Sequence, residues 1–197
     1  MWVGKFDGGI SATSAWCNKS GQEYARCLRR RRGCGGDTWH LDEVYLWING
    51  RLQYLWIAVD QEGDVLDILV QPRRNKAAAI QFFRKLLKGQ GCALRQIVTD
   101  KLASYSAAKA AVMPSVMHVR DKGANNRAEN SYQPTRERER RRRRFKSSGE
   151  AQRFLATFST ISNHFRPGRH LLKAAHYREI MERRFADWHE ICRSSAA

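Results

Sequence analysis

Three carboxylates stand out by their surroundings. Asp42 lies inside the apolar, aromatic stretch "TWHLDEVYLWI", Asp100 closes "QIVTD", and Glu129 sits in "NNRAEN" just upstream of a run of arginines. An acid within a strand is costly to bury unless it is paired or bound to metal. Three converging carboxylates can hold two Mg²⁺ or Mn²⁺ ions about 3.5–4 Å apart, one activating the attacking oxygen and the other stabilising the leaving oxygen of an in-line phosphoryl displacement. Oxygen donors suit these ions and not zinc. Each acid also has a plainer reading: Asp42 as a salt-bridge partner, Asp100 as an N-cap, Glu129 as an i,i+4 charge partner. Glu43 is set aside, because strand alternation points it away from the face of Asp42. Asp60, Glu62, Asp64 and Asp67 flank a turn and read as solvated.

The elements that would position the acids follow from hydrophobic period. "TWHLDEVYLWI" and "LQYLWIAVD" read as strands joined at Asn49-Gly50, a hairpin signal, and "VLDILVQ" is a third strand after "QEGD". The period then changes: Ala79, Phe82, Phe83, Leu86 and Leu87 share one helical face behind Asn75 as N-cap. A short strand "LRQIVTD", a helix "SYSAAKAAV" and a strand "SVMHV" follow, and beyond Gly123 the chain reads as helical and basic. The expected order, βββαβαβα, is that of an α/β, ribonuclease H-like mixed sheet with C-terminal helices. If the first and fourth strands are neighbours, Asp42 and Asp100 converge, and Glu129 comes from the helix after the fifth. "GEAQRFLATFSTISNHF" and "AHYREIMERRFADWHEIC" are amphipathic helices closing the chain.

Bulk composition narrows the partner. The 197 residues carry 36 Lys and Arg against 19 Asp and Glu, a net charge of +17. Such a field favours an acidic partner, and nucleic acid is the commonest one. No apolar run approaches the roughly 18–20 residues of a spanning helix, so no membrane role and a cytoplasmic location are expected. Five cysteines at irregular spacing, with no C-x-x-C pair, read as incidental thiols. Trp39, Trp47 and Trp56 lie in strands and read as core rather than as base-stacking platforms. His118, His164, His170 and His176 are scattered and carry no assigned chemistry.

The stretches "WHLDEVYLWINGRLQYLWIAVDQEGDVLDILVQPRRNKAAA", "VTDKLASY" and "NNRAENSYQPTRERER" resemble bacterial insertion-sequence transposases of the DDE class, the short-element group with one integrase-like catalytic core. The similarity runs from about Gln22 to Trp188. It implies Asp42, Asp100 and Glu129 as catalytic triad and as ligands of two Mg²⁺ or Mn²⁺ ions. It implies a polynucleotidyl transferase: water cuts at the element's terminus to free a 3′-OH, which then attacks target DNA. The implied partners are the element's terminal inverted repeats and target DNA, with a homodimer or higher assembly on DNA and a nucleoid-associated location in a bacterium. Arg136, seven residues after Glu129, would approach the DNA end.

The expected organisation is a short basic segment over 1–38 lacking an intact helix-turn-helix, a catalytic core over 39–147, and a helical extension over 148–197 packing on the core. Phosphate contacts are expected from Arg136, Arg138, Arg140, Arg141, Arg142, Arg143, Arg144 and Lys146, from Arg29, Arg30, Arg31 and Arg32, and from Lys101. The sequence departs from the family pattern in places. Asp100 and Glu129 are separated by 28 residues, a short gap, which makes Glu137 a rival third ligand, and Tyr132 stands where histidine is common. Residues 1–21 do not resemble a DNA-end reader, so a shortened copy is expected. The alternative reading is an inactive relic acting only as a DNA-binding or interfering protein.

Overall fold

The computed structural model describes residues 21–33, 35–91, 93–100, 102–121, 145–167 and 172–194. Helix α1 (Gln22–Arg31) precedes strands β1 (Thr38–Ile48), β2 (Arg51–Val59) and β3 (Val65–Gln71). Then come α2 (Lys76–Gln90), β4 (Gln96–Thr99), α3 (Ala103–Val112) and β5 (Met117–Arg120), and the chain closes with α4 (Ser148–Phe165) and α5 (Ala174–Ser194). The strands form one sheet in the order β3-β2-β1-β4-β5. The first three are antiparallel neighbours, and β4 and β5 run parallel to β1. This is the ribonuclease H-like sheet that the element order predicts.

Local chemistry explains the boundaries. Asn49 and Gly50 both take positive φ, 49° and 73°, as a two-residue hairpin matched to strand twist requires. The Asn75 side chain accepts the Ala78 N–H at 3.0 Å at the start of α2, and Gly91 leaves that helix at φ 61°. Ser147 caps α4 by accepting the Glu150 N–H at 3.2 Å.

The sheet is covered on both faces. On one, Trp39, Leu41, Trp56 and Ile97 pack against Ala78, Phe82, Phe83 and Leu86 of α2 and Tyr105 and Ala108 of α3. On the other, Val44, Leu46, Ile48, Leu55 and Ile57 pack against Ala151, Phe154 and Leu155 of α4. Helix α4, expected as part of an extension, is thus one of the three layers of the fold. In turn α1 packs on α4, and α5 rests on both. Among the described residues no helix is long and apolar enough to cross a membrane.

Candidate active site

Strand β4 stops at Thr99, whereas its neighbour β1 runs on to Ile48. The ladder pairs Leu41 with Thr99, so the next residues, Asp42 and Asp100, leave it side by side. Asp42 is half-buried, and one of its carboxylate oxygens accepts the Glu43 N–H at 2.9 Å. In Asp100, Oδ1 accepts the Leu102 N–H at 2.9 Å and Oδ2 stands 3.8 Å from Arg74 Nη2. Asp100 is therefore held by the turn that leads into α3, and it does not cap that helix directly, since Leu102 occupies the N-cap.

Beside the two acids is a buried charge cluster. Glu43 lies on the opposite strand face from Asp42, as alternation requires, and its side chain is 3% exposed. Arg74, from the β3–α2 loop, clasps it: Nε donates to Oε1 at 2.6 Å and Nη2 reaches the same oxygen. Burial pushes the Glu43 carboxyl up to about 7 and Asp100's charge adds to this, while the Tyr105 hydroxyl and Arg74 oppose it. Tyr105, wholly buried, is raised well above the usual phenol range by burial and then by Glu43. Its hydroxyl and Glu43 Oε2 are both buried without a partner at full hydrogen-bonding geometry. Glu43, Arg74 and Tyr105 thus form a buried polar floor against Asp100, in which Arg74 carries the lasting charge. Sequence reading sets Glu43 aside and passes over Arg74, because an arginine one residue before an N-cap carries no periodic signal.

A family model described as a DDE domain, of the IS240 transposase type, matches residues 36–168, about two thirds of the chain. The chain belongs to the DDE transposase family. The transposase for insertion sequence-like element IS431mec of Staphylococcus aureus is 31% identical over 120 residues, 56% of this chain and 53% of that protein. The chain thus spans about half the length of that curated relative. An uncharacterized Yersinia pseudotuberculosis protein is 37% identical over 73 residues, covering 36% of this chain and 68% of its own. The HTLV-2 integrase catalytic core, solved in complex with magnesium, superposes with a TM-score of 0.40 at 16% identity, over 50% of this chain and 68% of that one.

Within this DDE domain, Asp42 and Asp100 each follow the last β1–β4 pair, Leu41 and Thr99, while Glu129, its rival Glu137, Tyr132, Lys101 and the run Arg136–Arg144 lie outside the described residues. Among the described residues no group of three His, Cys, Asp or Glu could hold a metal ion. Lys146 is exposed and its backbone N–H donates to Glu150 at 2.8 Å, which leaves the ammonium at the surface.

Three of the four arginines over 29–32 expected to face DNA have partners within the chain. Arg29 donates to Thr160 Oγ1 at 3.0 Å and to the Ala156 carbonyl at 2.9 Å, and Arg31 pairs with Glu190 at 2.9 Å. Arg32 donates to the Val65 carbonyl at 2.8 Å and to Asp60 at 3.2 Å. These three tie α1 to α4, α5 and the sheet, while Arg30 remains exposed. The acids around the β2–β3 turn are not simply solvated either. Asp60 is 4% exposed and accepts the N–H groups of Glu62 and Asp64, both at 2.9 Å. Asp67 pairs with Lys85. Of the three strand tryptophans, Trp39 and Trp56 are fully buried, but Trp47 is 67% exposed.

Proposed function

We propose that this chain is the catalytic domain of a DNA transposase that cuts the 3′ ends of an insertion element and joins them to target DNA. The observation that carries this reading is the exit of Asp42 and Asp100, side by side, where β4 ends and β1 continues. The donor set fits a hard divalent cation: both are carboxylates, each with one oxygen already oriented by a backbone N–H. Asp42, Asp100 and Glu129 would hold two Mg²⁺ or Mn²⁺ ions, with Glu137 the rival for the third place. The chemistry such ions supply when bound is activation of the attacking oxygen and neutralisation of charge on the leaving one.

The chain's own residues have three tasks. Asp100 must keep one orientation, which the Leu102 N–H and the nearby Arg74 support. A cation must be in place beside Asp100 before DNA arrives, and Arg74, held in position by Glu43, meets that need. DNA must be gripped, and Arg136 to Lys146 carry seven arginines and a lysine for phosphate contact. Joining two element ends calls for at least two active sites, hence a homodimer or larger assembly on DNA.

The test is strand cleavage and strand transfer on element-end DNA with Mg²⁺, comparing the natural chain with Asp42→Asn, Asp100→Asn, Glu129→Gln and Glu137→Gln. The expected result is activity in the natural chain and Glu137→Gln, and none in the other three. Activity surviving in Asp42→Asn would sink the reading. Activity lost in Glu137→Gln and kept in Glu129→Gln would move the third ligand. A chain that binds DNA and cuts none would be an inactive relic.

A further inference from the structure

Past the acids, β1 carries two aromatic side chains that the described residues leave exposed. Glu43, Tyr45 and Trp47 share a face of the strand. Glu43 is closed over by Arg74, but Tyr45 is 56% exposed and Trp47 67% exposed. At about 3.3–3.4 Å per residue, they lie roughly 10 and 17 Å along the strand from Asp42 but on its opposite face, linked to Asp100 through Arg74. Tyr45 is braced from both sides: its ring meets that of Tyr54 on β2 at 5.5 Å, and its hydroxyl receives Arg74 Nη1 at 3.4 Å. Trp47 lies opposite the half-buried Leu52. Arg73 is exposed in the loop that delivers Arg74, and Lys76 is exposed at the start of α2.

We propose that Tyr45 and Trp47 form a stacking platform for unpaired DNA bases beside the candidate active site. The inference rests on the DNA-cutting reading above and adds to it a subsite for single-stranded character. An intact duplex hides its base faces, so aromatic rings gain nothing from it. A strand end that frays at the site of cutting exposes them, and stacking on an aromatic ring contributes about 1–3 kcal/mol per base. Arg74 beside the Tyr45 ring, with the exposed Arg73 next to it in the chain, matches the phosphates of the same strand. The net charge of +17 also favours an acidic occupant such as DNA. The platform differs from the run at 136–146, which grips phosphate whether or not the bases are paired.

The experiment measures the affinity of the full chain, at fixed salt, for two probes: a fully paired duplex and the same duplex with its terminal bases unpaired. Trp47→Ala should weaken binding to the frayed probe about tenfold and leave the paired probe unaffected, with Tyr45→Ala acting in the same direction. Trp47→Phe, which keeps an aromatic face, should restore most of the affinity. Because Trp47 is largely exposed, the Trp47 variants should unfold at the natural temperature, which a thermal melt checks. Equal weakening on both probes, or none on either, would overturn the proposal. So would a fall in sedimenting mass for Trp47→Ala with frayed-probe affinity unchanged, since that outcome assigns the rings to self-association. Asp42→Asn separates the two readings: it should abolish cleavage and keep the preference for the frayed probe. If the natural chain showed that preference and cut nothing, the platform would stand and the DNA-cutting reading would fail.

Discussion

Arg74 and Asp100 approach to 3.8 Å, and the same guanidinium is held from behind by the buried carboxylate of Glu43. The pair links the loop after β3 to the end of β4, two points far apart in the chain. A lysine would supply charge here without the planar fork that engages Glu43 through Nε and Nη2 together. Arg74→Lys is therefore expected to fold, to melt earlier, and to lower cleavage more than DNA affinity. Arg74→Ala leaves Glu43 buried and unpaired, at a cost of about 3–5 kcal/mol less whatever Glu43 recovers by taking up a proton. The double change Arg74→Met with Glu43→Gln should recover most of that stability and none of the cleavage. Recovery of both would mean that Arg74 serves folding alone. Thermal melts beside end-cleavage rates decide it.

The two basic runs should behave differently in salt. Each phosphate that the protein ceases to neutralise lowers the slope of log affinity against log salt by about 0.9 on duplex DNA. Replacing Arg140, Arg141, Arg142, Arg143 and Arg144 with glutamine should flatten the slope by up to about 4.5. Arg31→Gln should leave the slope unchanged and lower the melting temperature, because Arg31 is bound to Glu190. A slope that flattens with Arg31→Gln would return α1 to the DNA interface.

What the sequence revealed, and what it hid, divides along one physical line. Period and turn chemistry are local, so the strands, the Asn49-Gly50 hairpin and the Asn75 cap could be read directly. The pairing of β1 with β4 follows from element order, and it brings Asp42 beside Asp100. Cover is not local. Trp39, Trp47 and Trp56 sit in similar aromatic strands, yet only the first and third lie under α2 and α3. Acids at a turn read as solvated until Arg32, distant in sequence, is seen closing on Asp60 at 3.2 Å. Arg74 was invisible for the same reason: its partners, Glu43 and Asp100, lie on β1 and at the end of β4.

Helix α4 supplies a direct test of where the folding unit ends. Leu155 and Ala151 are fully buried against the sheet, and Phe154 nearly so. A chain stopped at residue 147 would expose one whole face of the sheet to water, so it is expected to aggregate or stay unfolded. The point change Leu155→Ala should cost about 2–5 kcal/mol. Denaturant titration reads both. A truncated chain that unfolds cooperatively with unchanged stability would place the end of the folding unit at residue 147.

Asp64 makes stability depend on pH. Burial pushes its carboxyl up to about 6, and the charges of Asp60 and Glu62 add to this, against Arg32 and Arg184. The folded chain therefore holds a proton here at pH values where the unfolded chain has released it. With a raised carboxyl the sign is unfavourable to folding at high pH: the cost of ionising Asp64 is fully present above about 6 and is relieved as pH falls toward the ordinary aspartate value of 3.8. Asp64→Asn, which mimics the protonated form, should raise the melting temperature at pH 7.5, and the gain should shrink steadily toward pH 5. The Arg32–Asp60 pair, at 3.2 Å, remains in the variant, so that contact is not the quantity measured. A gain that is the same at both pH values would mean that Asp64 is ionised throughout, held so by Arg32 at 3.7 Å.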